Sequence, residues 1–154
     1  MLRLHASPDS ASMVVRMILE ELDLPHEVRM IDRAGGELAS PDYRARHPLG
    51  LIPALETPDG TMFETAAILL WLADRHPASG LAPGVESRER ADFLKWLVFT
   101  STDLHPHMLN LFYADRAAGP GNVQAVIAAS PARIAVLMDA LEAAAARRPA
   151  GRAP

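Results

Sequence analysis

The chain contains no cysteine. Disulfides, thiolate metal sites, a cysteine nucleophile and any mixed disulfide formed by the protein itself are therefore excluded. It also lacks an excess of positive charge. The net charge is −4 and aromatic residues make up only 5% of the chain, so scattered arginines offer neither the basic field nor the stacking platform that nucleic acid requires. No apolar run is expected to reach the length of a membrane span, and the polar residues of MLRLHASPDS come too early for a signal core. The expected compartment is the cytoplasm, with no membrane partner. What remains is ordinary for a soluble globular protein: 154 residues, 49% hydrophobic and 22% charged, enough for one good core or two small ones.

Leu2, Leu4 and Ala6 alternate with Arg3 and His5, which predicts a short strand closed by Pro8-Asp9-Ser10. Val14, Met17, Ile18 and Leu22 then fall on one face of a helix, with Glu20 and Glu21 on the other, and Pro25 ends it. Val28, Met30 and Ile31 suggest a second strand. Residues 34–50 hold Gly35-Gly36, Pro41 and Pro48, a composition suited to a surface connection with a short polar helix inside it.

Residues 51–77 carry the densest signal. Ile52-Pro53 leads into Ala54-Leu55, Pro58-Asp59-Gly60 is a turn tripeptide, and Thr61-Met62-Phe63 is the returning strand. Glu64-Thr65 opens a helix whose row Ala67, Leu70, Trp71 and Asp74 stops before Pro77. Thr65 is placed to cap its first N–H groups, and the positive end would favour an arriving carboxylate. One βαβ unit followed by a ββα unit implies a mixed sheet covered by helices on both faces. The expected domains are 1–77, a breaker-rich linker at 78–85, a helical domain at 86–148 and a tail at 149–154. In the helical part Phe93, Leu97, Thr100, Leu104 and Leu111 keep helical spacing, Pro106 should kink the first long helix, and Pro131 kinks or starts the second.

These segments, in this order, resemble the glutathione transferase family. The opening LRLHASPDSASMVVRMILEELDLPHEVRMID is similar to its first strand, helix and second strand, and His47-Pro48-Leu49-Gly50 is similar to its Asn-Pro-x-Gly lead-in. Trp96, Leu97, Phe99, Ser101 and His105 resemble the start of the helical domain in the bacterial beta class, so the match runs from residue 2 to the low 140s. The resemblance implies an α/β plus all-α protein: a thioredoxin-like domain followed by a shortened helical domain. It implies glutathione as co-substrate, a small hydrophobic electrophile, a homodimer and a role in detoxification, with no metal.

Site residues carried over from the family are Ile52, whose backbone would lie beside the cysteinyl unit, and Pro53, expected to be cis. Glu64 would accept the α-ammonium and Thr65 would bond the carboxylate. Ser10 and Ser12 are the candidate donors to the thiolate, against the alternative that Ser10 is the cap of the first helix. Ala11 falls where the beta class has its cysteine and Ala6 where it has tyrosine, which places thiol–disulfide chemistry out of reach. His105 would face the thiol site from the second domain, with Asp103 orienting it or pairing across a dimer. His107 lies two positions on, a spacing unsuited to joint metal ligation on a helix. Phe99, Met108, Leu111, Phe112 and Tyr113 are divided between core and an electrophile pocket. Family members continue with further helices beyond a segment like Ala144–Pro149, so an apolar face lacking its usual cover is expected on the two long helices. Two other functions remain open: a catalytically weak glutathione- or partner-binding homologue, and a family isomerase or dehalogenase.

Overall fold

In the computed structural model, residues 1–119 and 121–147 are described, so the tail at 149–154 and the last residue of the expected helical domain lie outside them. The chain forms two compact units, Met1–Arg90 and Ala91 onward. This division falls after the proline- and glycine-rich stretch at 78–85, because Arg90 holds that stretch to the first unit. Its guanidinium forks onto both Asp74 carboxylate oxygens at 2.7 Å and donates to the Pro83 carbonyl at 2.9 Å.

The first unit runs β1 (Leu2–Ala6), α1 (Ser12–Glu21), β2 (His26–Met30), a 3₁₀ turn (Glu37–Ala39), α2 (Pro41–Arg44), β3 (Ala54–Thr57), β4 (Gly60–Phe63), α3 (Thr65–Arg75) and a 3₁₀ turn (Pro77–Ser79). Strand order is β2-β1-β3-β4, with β1 parallel to β2 and antiparallel to β3. This is the mixed sheet that the βαβ-ββα order requires. The hairpin closes through Pro58-Asp59, with Thr57 paired to Gly60 and the Thr57 hydroxyl donating to the Gly60 carbonyl at 2.8 Å. Leu4, Ala6, Val15, Leu19, Leu55, Ile68 and Leu72 form the core between the sheet and the α1/α3 pair.

The expected α1 row turns inward only in part, Ile18 and Leu22 packing against the core. In α1 the buried residues are Ser12, Val15 and Leu19, whereas Val14 and Met17 are exposed, Met17 at 63%. Apolar residues occupy 13, 14, 15, 17, 18, 19 and 22, so neighbouring rows satisfy the helical period equally. The phase is set by the turn before it, where the buried Ser12 hydroxyl meets the Ser7 backbone. In α3, Ile68, Leu72 and Ala73 are buried, while Ala67 and Asp74 are exposed. Its sequence is apolar almost all round, and packing against α1 selected the face.

The second unit contains α4 (Arg90–Phe99) from its second residue on, a π-helical turn (Thr100–Leu104), α5 (His105–Phe112), α6 (Ala114–Ala118) and α7 (Val123–Ala146). The expected break at Pro106 is an unwound turn just ahead of it. Proline cannot donate to the carbonyl four residues back, and the Thr100 and Thr102 hydroxyls bond to the Trp96 and Val98 carbonyls, which bends helices. Pro131 sits inside α7 rather than at its start. Among the described residues from Ala91 onward, only Leu104, Ala114, Ser130 and Leu137 are buried, and Val98, Met108, Phe112, Val136 and Met138 stay exposed. With 24 residues and a mean hydropathy of 1.3, α7 is long and apolar enough by composition to cross a membrane, although it packs on α5 and α6. That corrects the expectation that no run reaches such a length.

Candidate functional site

Register gathers six of the seven expected site residues at one end of the sheet. His5 of β1 pairs with Ala54 of β3, and Ala54 pairs with Phe63 of β4. One step beyond this row lie the β1–α1 turn with Ser10 and Ser12, the Ile52-Pro53 peptide, and Glu64-Thr65 at the start of α3. The Ile52-Pro53 bond is cis, as expected. The amino termini of α1 and α3 open at the same end, so their backbone dipoles add there.

Glu64 occupies the cap position of α3 with φ 69° and ψ 109°, a left-handed conformation rare for a residue with a Cβ. Such strain persists where surrounding structure imposes it, and it concentrates at ligand sites. Neither Glu64 nor any other side chain caps this helix. Thr65 is therefore its first residue and not its cap. The Glu64 carboxylate and Thr65 hydroxyl form no hydrogen bonds among the described residues, which leaves them and the first-turn N–H groups available to an incoming zwitterion.

The two serines differ in exposure. Ser12 is 1% exposed and closes the turn, accepting from Ser7 N at 3.2 Å and bonding Ser7 O at 3.2 Å. Ser10 is half-buried, donates to Ser7 O at 2.8 Å and sits 2.7 Å from the Ser12 hydroxyl. Ala11 holds the cap position of α1 without a side-chain bond, while the Ser10 hydroxyl accepts from the N–H of Ser12, the first helical residue, at 3.3 Å. Asp9 completes the turn at φ 50°, which aspartate tolerates.

His47, three residues before the site's Gly50, is buried against the Phe63 ring with centroids 4.9 Å apart, and its Nδ1 accepts from Leu49 N at 3.3 Å. Burial pushes its pKa below the ordinary value, opposed by the nearby Glu64 carboxylate. Behind the sheet a polar cluster appears that sequence reasoning missed. His5, 1% exposed, places Nε2 2.6 Å from Glu56 Oε1, which also accepts from Arg46 Nε at 2.8 Å. Among the described residues His5 Nδ1 has no hydrogen-bond partner, an arrangement that suits a proton on Nε2 facing the Glu56 carboxylate. Burial lowers the His5 pKa accordingly. The alternation of Arg3 and His5 with apolar residues would have signalled only a half-exposed strand. The clue was Tyr43 on the short α2 and Arg46 in the turn just after it, both of which meet this face.

His105 belongs to the helical unit, half-buried at the first position of α5. The Asp103 carboxylate accepts from Thr102, and its carbonyl pairs with His107 Nδ1 at 2.7 Å; among the described residues no hydrogen bond joins Asp103 to His105. Among the described residues no group of three or more histidine, aspartate or glutamate side chains is arranged to hold a metal.

Residues 4–80 match the glutathione S-transferase N-terminal domain. Over 111 residues the chain is 33% identical to a glutathione S-transferase of Xanthomonas campestris, covering 72% of this chain and 53% of that one. Over 152 residues it is 30% identical to glutathione S-transferase 3 of Zea mays, covering 95% and 68%. A sphingomonad glutathione S-transferase complexed with glutathione superposes with a TM-score of 0.80 at 32% identity, covering 98% of this chain and 74% of that one. A Sulfitobacter glutathione transferase homologue with bound glutathione gives 0.83 at 28% identity, covering 92% and 69%. The chain thus spans about half the length of the Xanthomonas relative. With the family model matched across half of the chain and with these relatives, the chain belongs to the glutathione S-transferase family.

Proposed function

We propose that this protein binds glutathione at the shared end of β1, β3 and α3 and transfers its thiolate to a small hydrophobic electrophile. The observation that carries this reading is the uncapped start of α3, with Glu64 held in a left-handed conformation beside the Ile52-Pro53 edge. The cysteinyl unit would pair with the Ile52 backbone as an added strand. Glu64 would take the α-ammonium, and the Thr65 hydroxyl with the α3 N–H groups the γ-glutamyl carboxylate.

Ser10 is the hydroxyl we assign to the thiolate. Ser10 and Ser12 share one acceptor, Ser7 O. When Ser10 turns its proton toward sulfur, Ser12 can keep that carbonyl satisfied, so the donor is released at little cost. Together with the positive end of α1 this lowers the thiol pKa, and the proton leaves to solvent. The sulfur then forms a bond to the electrophilic carbon while a leaving group such as halide departs with its electron pair. His105 is carried over from the family as a helper from the helical unit, and Ser12 is assigned to holding the turn. The setting is the cytoplasm, where glutathione is kept reduced, and the active form is a homodimer.

A second reading, a glutathione binder without turnover, is favoured by Ala6 and Ala11 at the beta-class tyrosine and cysteine positions. Conjugation of a general aromatic halide, with calorimetry in parallel, separates the two. Turnover that drops at least tenfold in Ser10→Ala supports transfer; binding without turnover supports the binder; absence of glutathione binding removes both.

A further inference from the structure

The bond from the Tyr43 hydroxyl to the Leu51 carbonyl, 2.7 Å long, joins the middle of α2 to the residue just before Ile52. Tyr43 is 2% exposed. Its ring stands edge-on to His5 with centroids 5.7 Å apart, and His5 is tied through Glu56 to Arg46, two residues beyond the end of that helix. Two anchors therefore fix α2 on the sheet, and the hydroxyl extends from that fixed body. Burial raises the Tyr43 pKa to about 12, so the phenol remains a donor throughout the working range.

The Leu51–Ile52 bond is trans, since Ile52-Pro53 is the sole cis peptide among the described residues. In a planar trans unit, C=O and N–H point in opposite directions. Holding the Leu51 oxygen toward Tyr43 therefore aims the Ile52 N–H away from α2. We infer that Tyr43 is a positioning residue of the glutathione site, its hydroxyl orienting the Leu51–Ile52 peptide so that the Ile52 N–H meets the cysteinyl backbone. This rests on the glutathione reading above. Two further contacts restrain the same segment: His47 Nδ1 holds Leu49 N, and Gly50 packs on the Leu38 carbonyl, where a Cβ would stand 2.4 Å away. Neither of them touches the Leu51 oxygen, which leaves the orientation of that peptide to Tyr43.

The test is Tyr43→Phe in the full chain, which keeps the ring on His5 and deletes only the hydroxyl. Titration calorimetry should show the Kd for glutathione rising about tenfold, while kcat at saturating glutathione changes less than twofold. Thr57→Val, which weakens the hairpin away from the groove, should lower stability with affinity unchanged. In the free protein the amide resonance of Ile52 should move in Tyr43→Phe, because a hydrogen bond at Leu51 O polarises the shared peptide unit. An affinity equal to wild type, or an unmoved Ile52 resonance, overturns the inference. If the wild type binds no glutathione, the functional reading falls, and the Ile52 resonance alone decides whether Tyr43 orients this peptide.

Discussion

Replacing Glu56 with alanine should unlock the layer behind the site, and the cost can be worked from its contacts. Among the described residues Glu56 is the only acceptor for the His5 Nε2–H, at 2.6 Å, and His5 is 1% exposed. Orphaning a buried donor of a charged acceptor costs about 2–3 kcal/mol. The Arg46 pair at 2.8 Å involves a side chain 35% exposed, so solvent screening limits it to about 0.5 kcal/mol. Glu56→Ala should therefore destabilise the first unit by about 3 kcal/mol. Glu56→Gln, which keeps one oxygen to accept from His5, should lose about 1 kcal/mol. Urea unfolding followed by Trp71 fluorescence in a Trp96→Phe background measures this. Salt then separates the parts, because at about 1 M the exposed arginine contribution is screened and the buried histidine contribution is not. The reasoning is refuted if the Ala and Gln variants lie within about 0.5 kcal/mol of each other, or if the loss vanishes in high salt.

Glu64→Gly should stabilise the fold by about 1 kcal/mol, since glycine adopts φ 69° without strain, while glutathione affinity drops roughly 10- to 100-fold with the lost ammonium acceptor; thermal melts beside calorimetry check the opposite signs. Gly50→Ala should cost about 3 kcal/mol or more, because φ is +63° and the new Cβ would meet the Leu38 carbonyl at 2.4 Å; a denaturant midpoint equal to wild type contradicts it. Acid should weaken the first unit in two stages. His5 and His47 are held below their usual 6.5 by burial, so the unfolded chain takes up protons first; their contribution is complete above 6.5 and is lost as pH falls through the folded values. Glu56, held below its usual 4.5 chiefly by the Arg46 bond, follows only at lower pH. His5→Gln should flatten the first stage in urea midpoints measured across pH, and an unaltered profile would show that His5 does not titrate with unfolding.

Local chemistry made much of this protein readable without coordinates. Pro58-Asp59-Gly60 admits a tight hairpin, the prolines and glycines after His76 end a helix, and Glu64-Thr65 ahead of an apolar run can only open one. Such signals are carried by neighbours in the chain, so the order of elements and the position of the candidate groove follow from them. Which face each helix buries did not follow. In α1 and α3 several rows are apolar, and the choice fell to contacts between segments distant in sequence: Ser12 on the Ser7 backbone, and Ile68 and Leu72 in the core with Leu4 and Leu55. The His5–Glu56–Arg46 cluster and the Tyr43 bond to Leu51 likewise join residues whose separate spacings carry no shared pattern. Only the closure of α2 over the β1–β3 pair brings them within hydrogen-bonding distance, where burial turns an ordinary histidine and tyrosine into structural supports for the site.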